Sequence, residues 1–391
     1  MEDIVILDGA RTAVGTFGGS LVATPPTALG VHVAKAAMAR AGVSPDQIGH
    51  VAMGHVINTE PRDMYLSRVT AIEAGIPDGT PAMNVNRLCG SGLQAIVSCA
   101  QNLMLGDAAF ALAGGAESMS RGPHIMQSAR FGQKMGDTGA VDMMLNALMC
   151  PFGTGHMGVT AENVAKEHGI TREDQDAFAM ESQRRAQAAI TDGVFASQIA
   201  PIEIKVKRQT AMFDTDEHPK ATSMEALAGL RAAFAKDGSV TAGNASGIND
   251  GAAAVVMATA TAAQAAGLKP RARVLGYAHA GVRPEVMGIG PVPAVQTLLQ
   301  KLDMKVSDFD VVESNEAFAA QACAVSKELG FSAEQVNPNG GAIALGHPVG
   351  ATGAIIMVKA LYELERRGGG RAICTMCIGG GQGIAVAIEA L

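Results

Sequence analysis

The sequence predicts an α/β protein whose strands and helices alternate as βαβ units on a doubly wound parallel sheet. Three observations carry that prediction. Short apolar runs recur as buried parallel strands do, stretches of helical spacing lie between them, and glycine is plentiful enough for backbones to press together. Of the 391 residues 47 are glycine, 48% are hydrophobic and 4% aromatic, with no tryptophan. At roughly 100–200 residues per domain this length makes two or three domains, each able to bury a core.

The first strand begins almost at Met1, with Ile4 to Leu7. The other apolar runs are Val51 to Met53, Ala108 to Ala113, Ala253 to Met257, Ala272 to Leu275, Val311 to Val312 and Arg371 to Met376. Helical spacing marks Thr27 to Ala41, Gly90 to Leu105, Val292 to Leu302, Ala317 to Leu329 and Ala351 to Arg367, and Gly42, Gly106 and Gly330 follow three of these as C-terminal caps. An internal echo points to two duplicated halves. VSPDQIGHVAMG (Val43 to Gly54) and KVSDFDVVESN (Lys305 to Asn315) each lead a polar turn into an apolar strand. In each half a loop then enters a small-residue helix, NRLCGSGLQAI or GHPVGATGAII, and an apolar strand ends in glycines at GGAE or CIGGGQG. Between Met119 and about Gly247 the rhythm is lost, and this stretch reads as an inserted excursion for ligand binding or assembly. It contains one well-signalled helix, opened by Thr171 with Asp174 and stopped at Gly193.

The formal charge of −7, without a basic block interleaved with aromatics, argues against nucleic acid and anionic membrane as partners. The start MEDIVILDGA is neither a signal nor a transit peptide, and the longest near-apolar stretch, Ala252 to Leu268, is broken by Thr259, Thr261 and Gln264. With six scattered cysteines this reads as a cytoplasmic chain with reduced thiols. Phosphate loops, the dinucleotide fingerprint, the serine nucleophile elbow and the HExxH zinc motif are all missing from the sequence.

What remains is four reactive positions at strand-to-helix or strand-to-loop junctions, where open α/β sheets place their sites. Cys89 precedes a helix opening with Gly90-Ser91-Gly92, where backbone N–H groups and the helix dipole depress a thiol pKa and make a nucleophile. His347, with Pro348 at a first helical position, is placed to act as the base for that thiol. Asn315 follows an apolar strand and offers an amide to a water or an oxyanion. Cys377 ends a strand that runs into three glycines. Cys374 and Cys377 form a CxxC, which admits a redox pair or half a zinc site, but no second pair completes a metal set and residues three apart on a strand face opposite ways.

The blocks VNRLCGSGLQA, GGAESMS, HMGVTAENVA, TAGNASG, NEAFAAQACA, NPNGGAIALGHPVGATGA and TMCIGGGQG together resemble the thiolase family, from RTAVGTFGG at Arg11 to the C-terminus. The likeness is strongest to its bacterial acetyl-CoA acetyltransferases and β-ketothiolases, with departures at Ser314, where the family often has Ala before NEAF, and at Cys374, where a non-cysteine is common. The resemblance implies duplicated βαβαβαββ halves forming a layered α-β-α-β-α core, with an inserted loop domain. It divides the chain into an N-terminal half (1–118 with 248–270), a loop domain (119–247) and a C-terminal half (271–391).

The resemblance further implies Claisen condensation of two acetyl-CoA to acetoacetyl-CoA and the reverse thiolysis. Cys89 would carry the acyl group, His347 would take its proton and Cys377 would serve as acid and base at the substrate α-carbon. Asn315, through a water, and His347 would bind one thioester oxygen, and the N–H groups of Cys89 and Gly379 would stabilise the acyl-enzyme tetrahedral oxyanion. His156, Met157, Lys220, Phe234, Ala242 and Ser246 would contact coenzyme A, with Leu148, Met287, Ala317 and Phe318 around the acyl group. Lys205, Lys207, Arg208 and Lys220 form a local basic cluster suited to phosphates. Coenzyme A and acyl-CoA would be substrates, with no tightly bound cofactor and no metal, and the Met-containing ARFGQKMGDTGAVDMM loop would build a homotetramer. The alternatives are a broader-chain 3-ketoacyl-CoA thiolase, a decarboxylating ketoacyl synthase, and a non-catalytic acyl-CoA carrier.

Overall fold

The computed structural model describes residues 2–206 and 209–391. Its core strands are β1 (Ile4–Arg11), β2 (His50–Gly54), β3 (Ala82–Val85), β4 (Phe110–Ser118), β5 (Asn249–Thr259), β6 (Ala272–Gly281), β7 (Val311–Ser314), β8 (Arg371–Ile378) and β9 (Gln382–Ala390). They form one ladder in the order β7-β8-β9-β6-β1-β5-β4-β2-β3. Only the outer pairs, β2 with β3 and β4 and β7 with β8, are parallel; every pairing between β4 and β8 through the centre is antiparallel. The parallel doubly wound sheet expected from the alternating pattern is therefore corrected to a mixed one. A buried antiparallel strand flanked by helices on both faces is as apolar as a parallel one, so the run itself carries no direction.

The two halves repeat one topology. Reading inward from the edges, β3-β2-β4-β5-β1 matches a bridge at Val336, then β7-β8-β9-β6, with the same orientation at each step. The halves join where Val5 and Ile6 of β1 pair with Arg273 and Ala272 of β6. The echoed polar turns are equivalent too: Pro45–Gln47 and Val306–Asp308 are both single 3-10 turns, with the Ser44 N–H donating to Gln47 Oε1 and the Lys305 N–H to Asp308 Oδ2.

Helices α1 (Pro26–Ala41) and α2 (Leu66–Glu73) cover the outer face of the first sheet half, and α6 (Pro291–Leu302) that of the second. Between the halves lie α3 (Ser91–Leu105) and α8 (Thr352–Arg367), each packed on strands of both. This is the α-β-α-β-α layering implied by the family resemblance. Period-two alternation builds it: Val5 and Leu7 face the outer core and Ile4 and Ile6 the central one, while Ile384, Val386 and Ile388 of β9 face the centre and Ala385 and Ala387 the far side. The central helices cross where glycine is required. A Cβ on Gly92 would lie 2.6 Å from the Ala354 nitrogen, and one on Gly353 2.2 Å from the Leu93 nitrogen.

Helix ends follow the sequence signals. Gly42, Gly106 and Gly330 take positive φ at the ends of α1, α3 and α7 (Ala319–Leu329), and the Thr171–Asp174 box opens α5 (Arg172–Thr191). The excursion also holds α4 (Met157–His168) and a hairpin of Ile202–Val206 with Gln209–Phe213. Neither that hairpin nor β3 nor β9 was anticipated. β3 is an edge strand with exposed side chains, and β9 follows so closely on a glycine turn that it reads as the tail of β8.

Candidate active site

Cys89 lies in the turn between β3 and α3, where Leu88 takes a positive φ of 47°. Ser91 holds the turn closed: its hydroxyl donates to the Leu88 carbonyl (2.6 Å) and accepts the Arg87 N–H (2.9 Å). The sulfur is half-buried at the helix start and receives the Gly379 N–H from the other half. The expected depression of its pKa is not what this setting produces. Burial pushes the Cys89 thiol up, the Gly379 and own-backbone N–H groups only partly offset that, and the Glu117 charge adds to it. At neutral pH Cys89 is a thiol that needs a base.

His347 is buried and neutral, its pKa pushed down to about 4 by burial. Its Nδ1 lies 2.7 Å from the Thr352 Oγ1, and that hydroxyl donates its only proton to the Pro348 carbonyl at 2.8 Å. The Nδ1 therefore carries the proton, and Nε2 presents a lone pair to the site. Pro348 does not occupy a first helical position as expected. It opens a turn four residues before α8, its carbonyl accepting the Ala351 and Thr352 N–H groups at 2.9 Å each.

Asn315 follows β7, with its Nδ2 3.5 Å from His347 Nε2 and its buried Oδ1 without a partner. Such an orphan acceptor marks a place for a water or a ligand donor. Cys377 and Cys374 face opposite sides of β8 as expected. Cys374 packs in the central core against the Ile356 carbonyl, whereas Cys377 joins Met157, Met287, Ala317 and Phe318. Burial, then the neighbouring Cys89, raises the Cys377 thiol far above the ordinary value near 8.5 expected for it. Among the described residues no cluster of three or more His, Cys, Asp or Glu is spaced to hold a metal ion.

These groups meet at a cavity of about 550 Å³ lined by Cys89, His347 and Gly379, and by Leu148, His156, Met157, Lys220, Phe234, Ala242, Ser246, Met287, Ala317 and Phe318. Asn315 and Cys377 stand one layer behind the wall. Residues from both halves and from the excursion share this surface, because Ser246 N–H bonds the Ala317 carbonyl (3.0 Å) and Ala319 N–H the Asn244 carbonyl (2.8 Å). His156 stacks on Phe234 at 4.6 Å, and Phe318 meets that ring edge-on at 6.1 Å. Of the described members of the basic cluster only Lys220 lines the cavity. Lys205 is exposed on the hairpin, and Lys207 and Arg208 lie outside the described residues. No carboxylate is among the lining residues, although the chain carries a charge of −7.

Three supporting residues were not foreseen. Asn249 accepts the His347 N–H (2.9 Å) and donates to the Gly15 carbonyl (3.0 Å), and His218, in the cavity wall, lies 3.3 Å from its amide nitrogen. Thr352 sets the imidazole tautomer. GHPVGATG shows the threonine, but nothing in sequence spacing pairs residues 249 and 347.

Comparison with known proteins places this arrangement. Residues 4–261 match the model of the thiolase N-terminal domain and residues 268–390 that of the thiolase C-terminal domain. The chain is 58% identical over 390 residues to β-ketothiolase BktB of Cupriavidus necator and 48% identical over 391 residues to an acetyl-CoA acetyltransferase of Allochromatium vinosum, covering 99% of each chain in both cases. Among solved structures it is similar to the acetyl-CoA acetyltransferase of Bacillus anthracis (TM-score 0.98, 45% identity, 100% of this chain and 99% of that one). It also matches human mitochondrial 3-ketoacyl-CoA thiolase in complex with CoA (TM-score 0.97, 43% identity, 100% and 98%).

Proposed function

The chain belongs to the thiolase family, and from that premise we propose that it is an acyltransferase that condenses two acetyl-CoA to acetoacetyl-CoA and runs the reverse thiolysis. As Cys89 Sγ attacks the thioester carbon, its proton passes to His347 Nε2. The tetrahedral oxyanion sits on the Cys89 and Gly379 N–H groups, the carbon–sulfur bond to CoA breaks, and the leaving sulfur takes the Cys377 proton, which leaves Cys377 a thiolate. In the second half that thiolate removes an α-proton from the next acetyl-CoA. Its thioester oxygen accepts hydrogen bonds from the protonated His347 Nε2 and from a water on Asn315. The carbanion attacks the acyl carbon, the bond to Cys89 breaks, and His347 returns its proton to the Cys89 sulfur, so none is gained or lost. Burial makes the Cys377 thiolate a strong base, as a weakly acidic C–H requires.

The observation that supports this reading most is the wall of the cavity. A thiol, a neutral imidazole lone pair and the Gly379 N–H share it with Lys220 and the His156–Phe234 stack, and no lining carboxylate opposes an anionic cofactor. Coenzyme A is the expected substrate there, with the 119–247 stretch acting as the loop domain between halves at 1–118 with 248–270 and 271–391. One feature favours acyl chains longer than acetyl as well: Val56, Met119, Val349 and Ile248 extend the apolar wall beyond Cys89. We further expect a cytoplasmic homotetramer without a tightly bound cofactor. No helix among the described residues is long and apolar enough to cross a membrane.

Intact mass after exposure to acetyl-CoA tests the assignment. The parent and Cys377→Ala proteins gain one acetyl group and Cys89→Ala gains none. An acetylated Cys89→Ala protein, or a folded Cys377→Ala protein that cannot be acylated, overturns the division of roles.

A further inference from the structure

The strand registers make the two halves comparable residue by residue at their active ends. Gly54 of β2 pairs with Gly115 of β4, and Ser314 of β7 pairs with Thr375 of β8. One residue on, His55 is therefore equivalent to Asn315, and two residues on along β4 and β8, Glu117 is equivalent to Cys377. The reciprocal contacts of Gly92 and Gly353 likewise match Cys89 to Gly350. Asn315 and Cys377 of the second half serve Cys89, so His55 and Glu117 of the first half face Gly350.

Glu117 is wholly buried and has no part in the acyl-transfer steps. Its Oε2 accepts the Gly350 N–H at 2.9 Å and the Val56 N–H at 3.0 Å, and its Oε1 accepts the Ile57 N–H at 3.1 Å. A Cβ on Gly350 would lie 2.4 Å from Oε2, so the turn rests directly on the carboxylate. Gly350 is three residues after His347, inside the turn that Pro348 opens and Thr352 closes.

We propose that Glu117 is a positioning residue for the reaction: by holding the Gly350 N–H it fixes the turn that aims the His347 imidazole at Cys89. The inference rests on the reading of His347 as the base for Cys89. Burial raises the Glu117 carboxyl above its ordinary value, and the neighbouring His55 and the Ile57, Gly350 and Val56 N–H groups partly offset that rise. The titratable groups around it are His55, whose Nδ1 lies 3.4 Å from Oε1, Asp63, 4.0 Å from His55 Nε2, and Cys89, whose thiol the Glu117 charge raises. Glu117 thus acts twice, placing the base and keeping the sulfur protonated until the base takes its proton.

Two variants separate these effects. Glu117→Gln removes the charge and sets an amide against N–H donors; Glu117→Asp keeps the charge but withdraws the oxygens from Gly350. In both, condensation kcat per acylatable Cys89 should fall by about tenfold or more while KM for acetyl-CoA stays within about threefold. The pH limb of Cys89 alkylation by iodoacetamide should move to lower pH in Glu117→Gln and stay in place in Glu117→Asp. A purely structural role lowers the melting temperature of either variant without moving that limb or the turnover per site. Turnover within about twofold of the parent in a folded variant of either kind, with the limb unmoved in Glu117→Gln, overturns the proposal. His347→Ala is the control. If it is acylated at the parent rate, the reading of His347 fails; if it is not, and the Glu117 variants are normal, only the positioning role fails.

Discussion

At the end of β8 Cys377 faces the turn that carries Cys89; at the equivalent end of β4 Glu117 faces the turn that carries Gly350. One duplicated frame has produced a reactive place and a structural clasp. At the first, a sulfur and an amide with an unpaired Oδ1 stand behind the wall of a cavity that a neutral imidazole lines. At the second, each carboxylate oxygen is spent on backbone N–H groups. The difference teaches that chemistry appears where polar groups are left unsatisfied beside open space, and stability where they are paired.

The hydroxyl clamps extend the comparison and offer the largest effect. Thr352 and Ser91 are equivalent, but Thr352 takes the His347 Nδ1 proton whereas Ser91 takes a backbone N–H. Thr352→Val should lower kcat by roughly 100-fold through loss of the imidazole tautomer, with KM little changed. Ser91→Ala should cost about 1 kcal/mol of stability and far less activity. Equal turnover losses in the two would break the comparison. Next in size, Gly353→Ala forces a methyl against the Leu93 nitrogen, and urea unfolding should show a loss of about 1–3 kcal/mol, more if the helices cannot part.

A further effect is on pH dependence. His347 is held near 4 against a free value of 6.5, so between these pH values the unfolded chain binds a proton that the native one does not. The stability this histidine confers is complete above pH 6.5 and is lost as pH falls toward 4. Urea midpoints of the parent should therefore drop more steeply over that window than those of His347→Asn; parallel slopes would mean that the imidazole is not buried neutral.

Much of this was legible from residues alone. Apolar runs and capping signals located most strands and helices, and the blocks around Cys89, Asn315, His347 and Cys377 named the reactive groups. Thirteen of the fifteen site residues expected from the sequence do line one cavity, while Asn315 and Cys377 support it from behind. Strand direction was not legible, nor was β3, whose half-exposed AMNV has no apolar run to betray it.

The sequence by itself determined which side chains are available and where local structure presents them, because helix caps, small-residue helix starts and alternation act over a few residues. Only the tertiary structure decided their state. Cys89 is a high-pKa thiol because burial outweighs its helix start, His347 offers Nε2 because Thr352 occupies Nδ1, and Glu117 reaches Gly350 across 233 residues. Desolvation and long-range hydrogen bonding depend on which surfaces meet, and no stretch of chain carries that information alone.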